Sequence, residues 1–150
     1  MLQSYNKEQA ILRINRLSEQ GKEFVFIIDY LQDCSYIEET NRLDSSFVLY
    51  NLNGFTNQDS IFPLRKTAVQ WNIDFPPFDQ YKPSFDYVLE NIRGGNSFLT
   101  NLTCRTLITT NLSLKEIFYH SKAMYKLWLK DAFVVFSPEI FVRIKGRKIR

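Results

Sequence analysis

Tyr125-Lys-Leu-Trp-Leu-Lys130, Asp131-Ala132 and Phe133-Val-Val-Phe136 are the residues on which the fold class turns. The first run alternates in the two-residue period of a strand. The last run is continuous, aromatic and β-branched, and it predicts a buried strand. A link as short as Asp131-Ala132 can join two strands only as an antiparallel hairpin, because a parallel pair needs a long crossover. Downstream, Ser137-Pro138-Glu139 leads to a predicted strand over Phe141–Lys145. Gly146-Arg147 then begins another hairpin into Lys148-Ile149-Arg150, whose return arm is only a few residues long.

Working upstream, Ser113-Leu-Lys-Glu116 has the spacing of a capping box, and it predicts a helix carrying Leu114, Ile117 and Phe118 on one side and fading near His120. A strand is expected over Ser97–Thr103. Pro83-Ser84 is expected to open a helix through Phe85, Val88, Leu89 and Ile92, which Gly94-Gly95 closes. Residues 55–80, interrupted by Pro63, Pro76 and Pro77, read as an extended surface connection. Ser46–Asn51 reads as a strand ending in a turn at Asn53-Gly54, and Phe24–Ile28 as a strand buried on both faces. Ala10, Ile11, Ile14 and Leu17 line one face of a helix over 6–20 that stops at Gly21. The expected fold is α+β, a mainly antiparallel sheet with packed helices, within a single domain segment spanning 1–150.

Composition narrows the chemistry. The 150 residues carry 13 Phe, 8 Tyr and 2 Trp, too aromatic for a disordered tail. Five glycines, with neither GxGxxG nor GxxxxGK[ST] among them, exclude the glycine-rich phosphate loops. The formal net charge is +3, yet Arg143, Lys145, Arg147, Lys148 and Arg150 all fall in the last eight positions, and the remaining 142 residues hold 14 basic against 16 acidic side chains. That is no basic footprint for nucleic acid, and the tail's alternation with Val142 and Ile144 suits a solvated sheet face.

Cys34 and Cys104 stand alone, and with one histidine no Cys/His zinc set can be assembled. The polar start MLQSYNKEQ and the absence of a membrane-length apolar run predict two free thiols in a reducing cytoplasm, with no membrane partner. His120 reads as a surface histidine beside Ser121 and Lys122. The adjacent Glu38 and Glu39 read as solvated charge, and Trp71 and Trp128 as core. No catalytic constellation emerges, and no catalytic residue is assigned.

Two segments carry a resemblance. Gly95-Asn-Ser-Phe-Leu-Thr-Asn-Leu-Thr103 resembles the G-x-x-Y-Q-V-N-L-T strand of chorismate-utilising enzymes. Phe133-Val-Val-Phe-Ser-Pro-Glu-Ile-Phe-Val142 resembles their later F-x-x-x-S-P-E-x-F-x element. Both stand in the family's order with a helix between them, and EFVFIIDY at 23–30 is similar to the opening strand of short bacterial members. Among members, the chain resembles component I of aminodeoxychorismate synthases most.

The resemblance implies the N-terminal part of the anthranilate synthase component I-like fold, truncated before the catalytic portion. The complete enzyme would aminate chorismate at C4 with ammonia from a glutamine amidotransferase, towards 4-aminobenzoate and folate. It would use Mg2+ whose ligands, like the nucleophilic lysine of a P-I-K-G-T motif, lie beyond Arg150. The expected partners are that amidotransferase, the missing C-terminal half and chorismate. Leu99, Asn101, Thr103 and Glu139 are the motif positions expected near the chorismate pocket.

Hydrating members carry a lysine where Leu99 stands, and an alkyl side chain cannot move the proton that hydration needs. Leu99 also departs from the glutamine usual in aminating members. The L-L-E-S motif of tryptophan-sensing anthranilate synthases is missing, and His120-Ser-Lys-Ala-Met-Tyr125 keeps only the tyrosine of their N-P-x-P-Y segment. An anthranilate synthase-like segment and a non-catalytic interaction module are the alternative readings.

Overall fold

The computed structural model describes residues 2–59, 62, 68–137, 144–145 and 148–149. The chain divides into two compact units, one formed by Met1–Arg65 with Leu114–Arg150 and the other by Lys66–Ser113. Three helices and antiparallel sheets make the fold α+β.

In the first unit, strand β1 (Ser4–Tyr5) leads into helix α1 (Lys7–Glu19). Asn6 and Gln9 cap α1 reciprocally: Asn6 Oδ1 accepts from Gln9 N at 2.9 Å and Gln9 Oε1 from Asn6 N at 3.2 Å. Gly21 takes a left-handed φ of 63° beyond the helix end, the reversal expected there. Strand β2 (Phe24–Ile28) pairs with β3 (Ser35–Glu39), and β3 with β1, giving the order β1-β3-β2. Ala10 and Leu17 from α1 bury against Ile37 of β3, with Tyr5, Ile14 and Phe24 packed around them.

The opening hairpin is present as β8 (Tyr125–Leu129) and β9 (Phe133–Ser137), with Leu129 opposite Phe133 and Tyr125 opposite Ser137. Asp131 closes it at φ 57°, a conformation Asp tolerates better than bulkier residues. Strand β4 (Val48–Leu52) pairs with β8 along its whole length and with β5 (Phe55–Thr56), giving the order β5-β4-β8-β9. Asn53 and Gly54, both at positive φ, make the tight turn between β4 and β5. Helix α3 (Leu114–His120) starts after Ser113 and delivers Phe118 to a core with Leu49 and Trp128. A last antiparallel pair joins β10 (Ile144–Lys145) to β11 (Lys148–Ile149).

In the second unit, strand β6 (Trp71–Asp74) pairs antiparallel with β7 (Leu107–Thr110), and helix α2 spans Phe78–Arg93.

Several expectations are corrected. Strand β2 is not buried on both faces, since Phe26 is 55% exposed, and β9 is not a buried strand, since Val135 and Phe136 are both exposed. Each strand lies at the end of its sheet, and an apolar run does not reveal whether one face or two will be covered. Helix α2 begins at Phe78, so Pro83 sits inside it and costs one ladder bond. Gln80 and Tyr81 bond back to Pro77 O and set the start instead. No strand forms over Ser97–Thr103. Ser97 Oγ donates to Leu99 O at 3.0 Å, a local bond that competes with a ladder, and the β-branched run at 107–110 takes the place beside β6.

Residues 55–80 hold β5, β6 and the start of α2 rather than a wholly extended connection. Trp128 is core but Trp71 is half exposed. Glu39 is buried rather than solvated, with Arg42 Nη1 3.6 Å from its carboxylate, while Glu38 meets Arg13 at 3.7 Å. Strand β3 itself escapes sequence reading because its inward phase is Ser35, Ile37 and Glu39, two of them polar.

Candidate functional site

Leu99, Asn101 and Thr103 lie on one irregular stretch that follows α2, and all three are exposed, Leu99 at 90%. Glu139, like Arg143, Arg147 and Arg150 of the basic tail, lies outside the described residues. Among the described residues, nothing converges on the three motif side chains as a nucleophile, base or cation.

Among the described residues of the first unit, two concavities are of ligand size. One, about 440 Å3, is lined by Lys22, Glu23, Phe24, Val25, Thr40, Tyr50, Leu52 and Phe55. Its walls come from β2, β4, β5 and the short helical turn at Thr40–Arg42. The Tyr50 side chain is buried, and burial together with the nearby Glu23 charge raises its hydroxyl above the ordinary value. That phenol therefore remains a donor at neutral pH. Thr40 Oγ1 is committed to Glu23 O at 3.4 Å, and Thr40 N to the same oxygen at 3.0 Å. Lys22 and Glu23 are exposed at the mouth. Such a cavity can hold an apolar body with a polar end. The other concavity, about 580 Å3, is lined by the apolar residues Phe26, Ile27, Ile28, Leu127, Phe133, Val134 and Val135.

One ionisable group was not legible as special. Lys126 is buried, and its Nζ donates to Phe118 O at 2.8 Å and Ser121 O at 2.9 Å, 4.5 Å from the centre of the Phe118 ring. Burial lowers its pKa. The amine closes the carbonyl end of α3, a structural task. The available signal was its phase: Lys126 and Trp128 share the inward face of β8.

His120 ends α3 exposed. Cys34 is half buried and Cys104 exposed, both as free thiols. A hydrogen bond with the Cys34 thiol, and that group's charge, raise the Tyr36 hydroxyl. Among the described residues no group of three or more His, Cys, Asp or Glu side chains could hold a metal ion. The magnesium implied by the resemblance finds no fitting donor set among the described residues. Among the described residues, no helix is long and apolar enough to cross a membrane.

Comparison with known proteins supplies what the geometry does not. Residues 17–150 match the family model described as chorismate binding enzyme. An uncharacterised PabA-like protein of Haemophilus influenzae is 36% identical over 142 residues, 95% of this chain and 43% of its own length. An uncharacterised PabA-like protein of Pasteurella multocida is 33% identical across 93% of this chain, again 43% of its own length. The chain therefore spans less than half the length of these relatives. No solved structure matches it.

Proposed function

The chain belongs to the chorismate-binding enzyme family, and from that premise we propose that it is the N-terminal portion of an aminodeoxychorismate synthase component I. In this reading the complete enzyme replaces the C4 hydroxyl of chorismate with an amino group. Ammonia comes from a glutamine amidotransferase partner, and water leaves. The observation that carries the reading is the ordered pair of motifs, Gly95–Thr103 and Phe133–Val142, inside the matched stretch 17–150. Leu99 supports amination over hydration, because an alkyl group cannot activate the water that hydration adds.

The residues present act as scaffold. No described side chain is placed to attack C4 or to hold magnesium, so the chain alone is expected to give no turnover. Nucleophile, metal ligands and most substrate contacts would be supplied by the rest of the enzyme.

The test begins with the DNA downstream of codon 150. A P-I-K-G-T-like motif followed by an acidic metal-binding helix supports the reading, and no similar coding sequence removes it. The family-length protein, given chorismate, magnesium and ammonia, is then expected to form 4-amino-4-deoxychorismate. Anthranilate as the product would move the chain to the anthranilate branch. Turnover by purified 1–150 would refute its role as scaffold.

A further inference from the structure

Tyr50 is buried, yet its hydroxyl has no hydrogen-bond partner among the described residues. Native interiors rarely leave such a group unpaired, so its partner is a water or an acceptor brought by a ligand. The side chain faces the concavity of about 440 Å3. Leu49 turns to the core with Phe118 and Trp128, so strand alternation puts Tyr50 and Leu52 on the opposite face of β4, where both line that space. Val25 and Phe55 add to its apolar wall. Every lining residue belongs to the first unit, and the site stands on that unit alone.

The polar groups narrow the occupant. Glu23 stands two residues before Val25, in phase with it, and its charge reaches the Tyr50 hydroxyl. A carboxylate there repels an anionic acceptor. The group that suits both neighbours is itself a hydroxyl, which accepts from the phenol and donates to the carboxylate. The Tyr50 and Phe55 rings suit an aromatic body, and Lys22 at the mouth favours a negative charge at its far end. We infer that this concavity binds a phenolic acid, a hydroxylated aromatic ring whose carboxylate lies away from the hydroxyl. The inference does not depend on the amination reading. It also differs from a tryptophan-sensing pocket: none of residues 120–125 lines the site, and an ammonium group, a donor only, would leave the phenol unpaired.

Titration calorimetry on the 150-residue chain tests this, with 4-hydroxybenzoate as the probe and benzoate as the analogue lacking the hydroxyl. The probe is expected to bind with a Kd below about 1 mM, and benzoate about tenfold more weakly. Tyr50→Phe keeps the ring and removes only the donor, and it is expected to bring 4-hydroxybenzoate down to the affinity of benzoate. Glu23→Gln changes an exposed side chain, so the fold is not at stake. It is expected to weaken the probe by about threefold or more and to leave benzoate unchanged.

No binding of 4-hydroxybenzoate at millimolar concentration would overturn the proposal. So would benzoate binding as tightly as the probe, or an unchanged probe affinity in either variant. L-tryptophan binding at this site in preference to the probe would overturn it too and mark an amino-acid pocket instead. Binding is read without chorismate or turnover, so failure of the amination reading would leave this result untouched, and the reverse holds.

Discussion

Replacing Lys126 with methionine tests whether a buried amine holds the end of α3 in place. Methionine keeps the length and the contact with the Phe118 ring but removes the donor. Two carbonyl oxygens, Phe118 O and Ser121 O, lose partners at 2.8 and 2.9 Å. Each bond from a charged donor contributes about 1.5–3 kcal/mol, so the gross loss is about 3–6 kcal/mol. Against this, the ammonium no longer has to be dehydrated, which offsets part of the loss. The net destabilisation expected is about 2–4 kcal/mol. With a urea slope of about 1–1.5 kcal/mol per molar, the midpoint falls by roughly 2 M. Trp128, packed in the same cluster as Phe118, reports the transition by fluorescence in a Trp71→Phe background.

The pH dependence gives a second readout with a fixed sign. Burial lowers the Lys126 pKa below its unfolded value of 10.5. Below the folded value both states are protonated, and the contribution is flat. Between the folded value and 10.5 the unfolded state binds the extra proton, so this lysine's contribution to stability rises with pH. The raised hydroxyls of Tyr36, Tyr50 and Tyr119 act in the opposite direction, but they are common to both proteins and cancel in the difference. The loss caused by Lys126→Met is therefore expected to grow as pH approaches 10.5. A variant as stable as the parent at pH 7, or a difference that shrinks with rising pH, would refute the account.

Asn57 offers its carbonyl oxygen to Tyr50 N at 3.0 Å and its amide to Val48 O at 2.8 Å, substituting for a strand neighbour of β4; Asn57→Ala is expected to cost about 2 kcal/mol in urea unfolding. Gly54 holds φ 97° with open space where a Cβ would stand, so Gly54→Ala is expected to cost about 1–2 kcal/mol through backbone strain alone. A thiol reagent under native conditions is expected to modify exposed Cys104 at least about ten times faster than half-buried Cys34. Leu99→Gln is expected to change the stability of 1–150 by less than about 0.5 kcal/mol, the usual scale for an exposed site. A pocket role for that position in the family-length enzyme would show instead as a changed kcat/KM at unchanged stability.

The elements read correctly from sequence are those whose stability is decided within a few residues. The hairpin at 125–137 follows from a link too short for any other connection, α1 from its stripe and its stop at Gly21, and the β4–β5 turn from Asn53-Gly54. Strand β3 went unread because burial of Glu39 depends on Arg42, and half-burial of Glu38 coincides with Arg13 from a helix more than twenty residues away. Pro83 misled for a related reason. A proline lowers the local preference for helix interior, yet an amphipathic stripe from Tyr81 to Ile92 and the turn at Pro77 extend the helix through it.

The site divides along the same line. Family membership was legible because motif residues stand in the chain whatever surrounds them. The reacting geometry was not, because a pocket requires groups to converge, and Leu99, Asn101 and Thr103 sit on an exposed stretch of a unit whose described residues have no core. Side chains become pocket walls only when something opposes them.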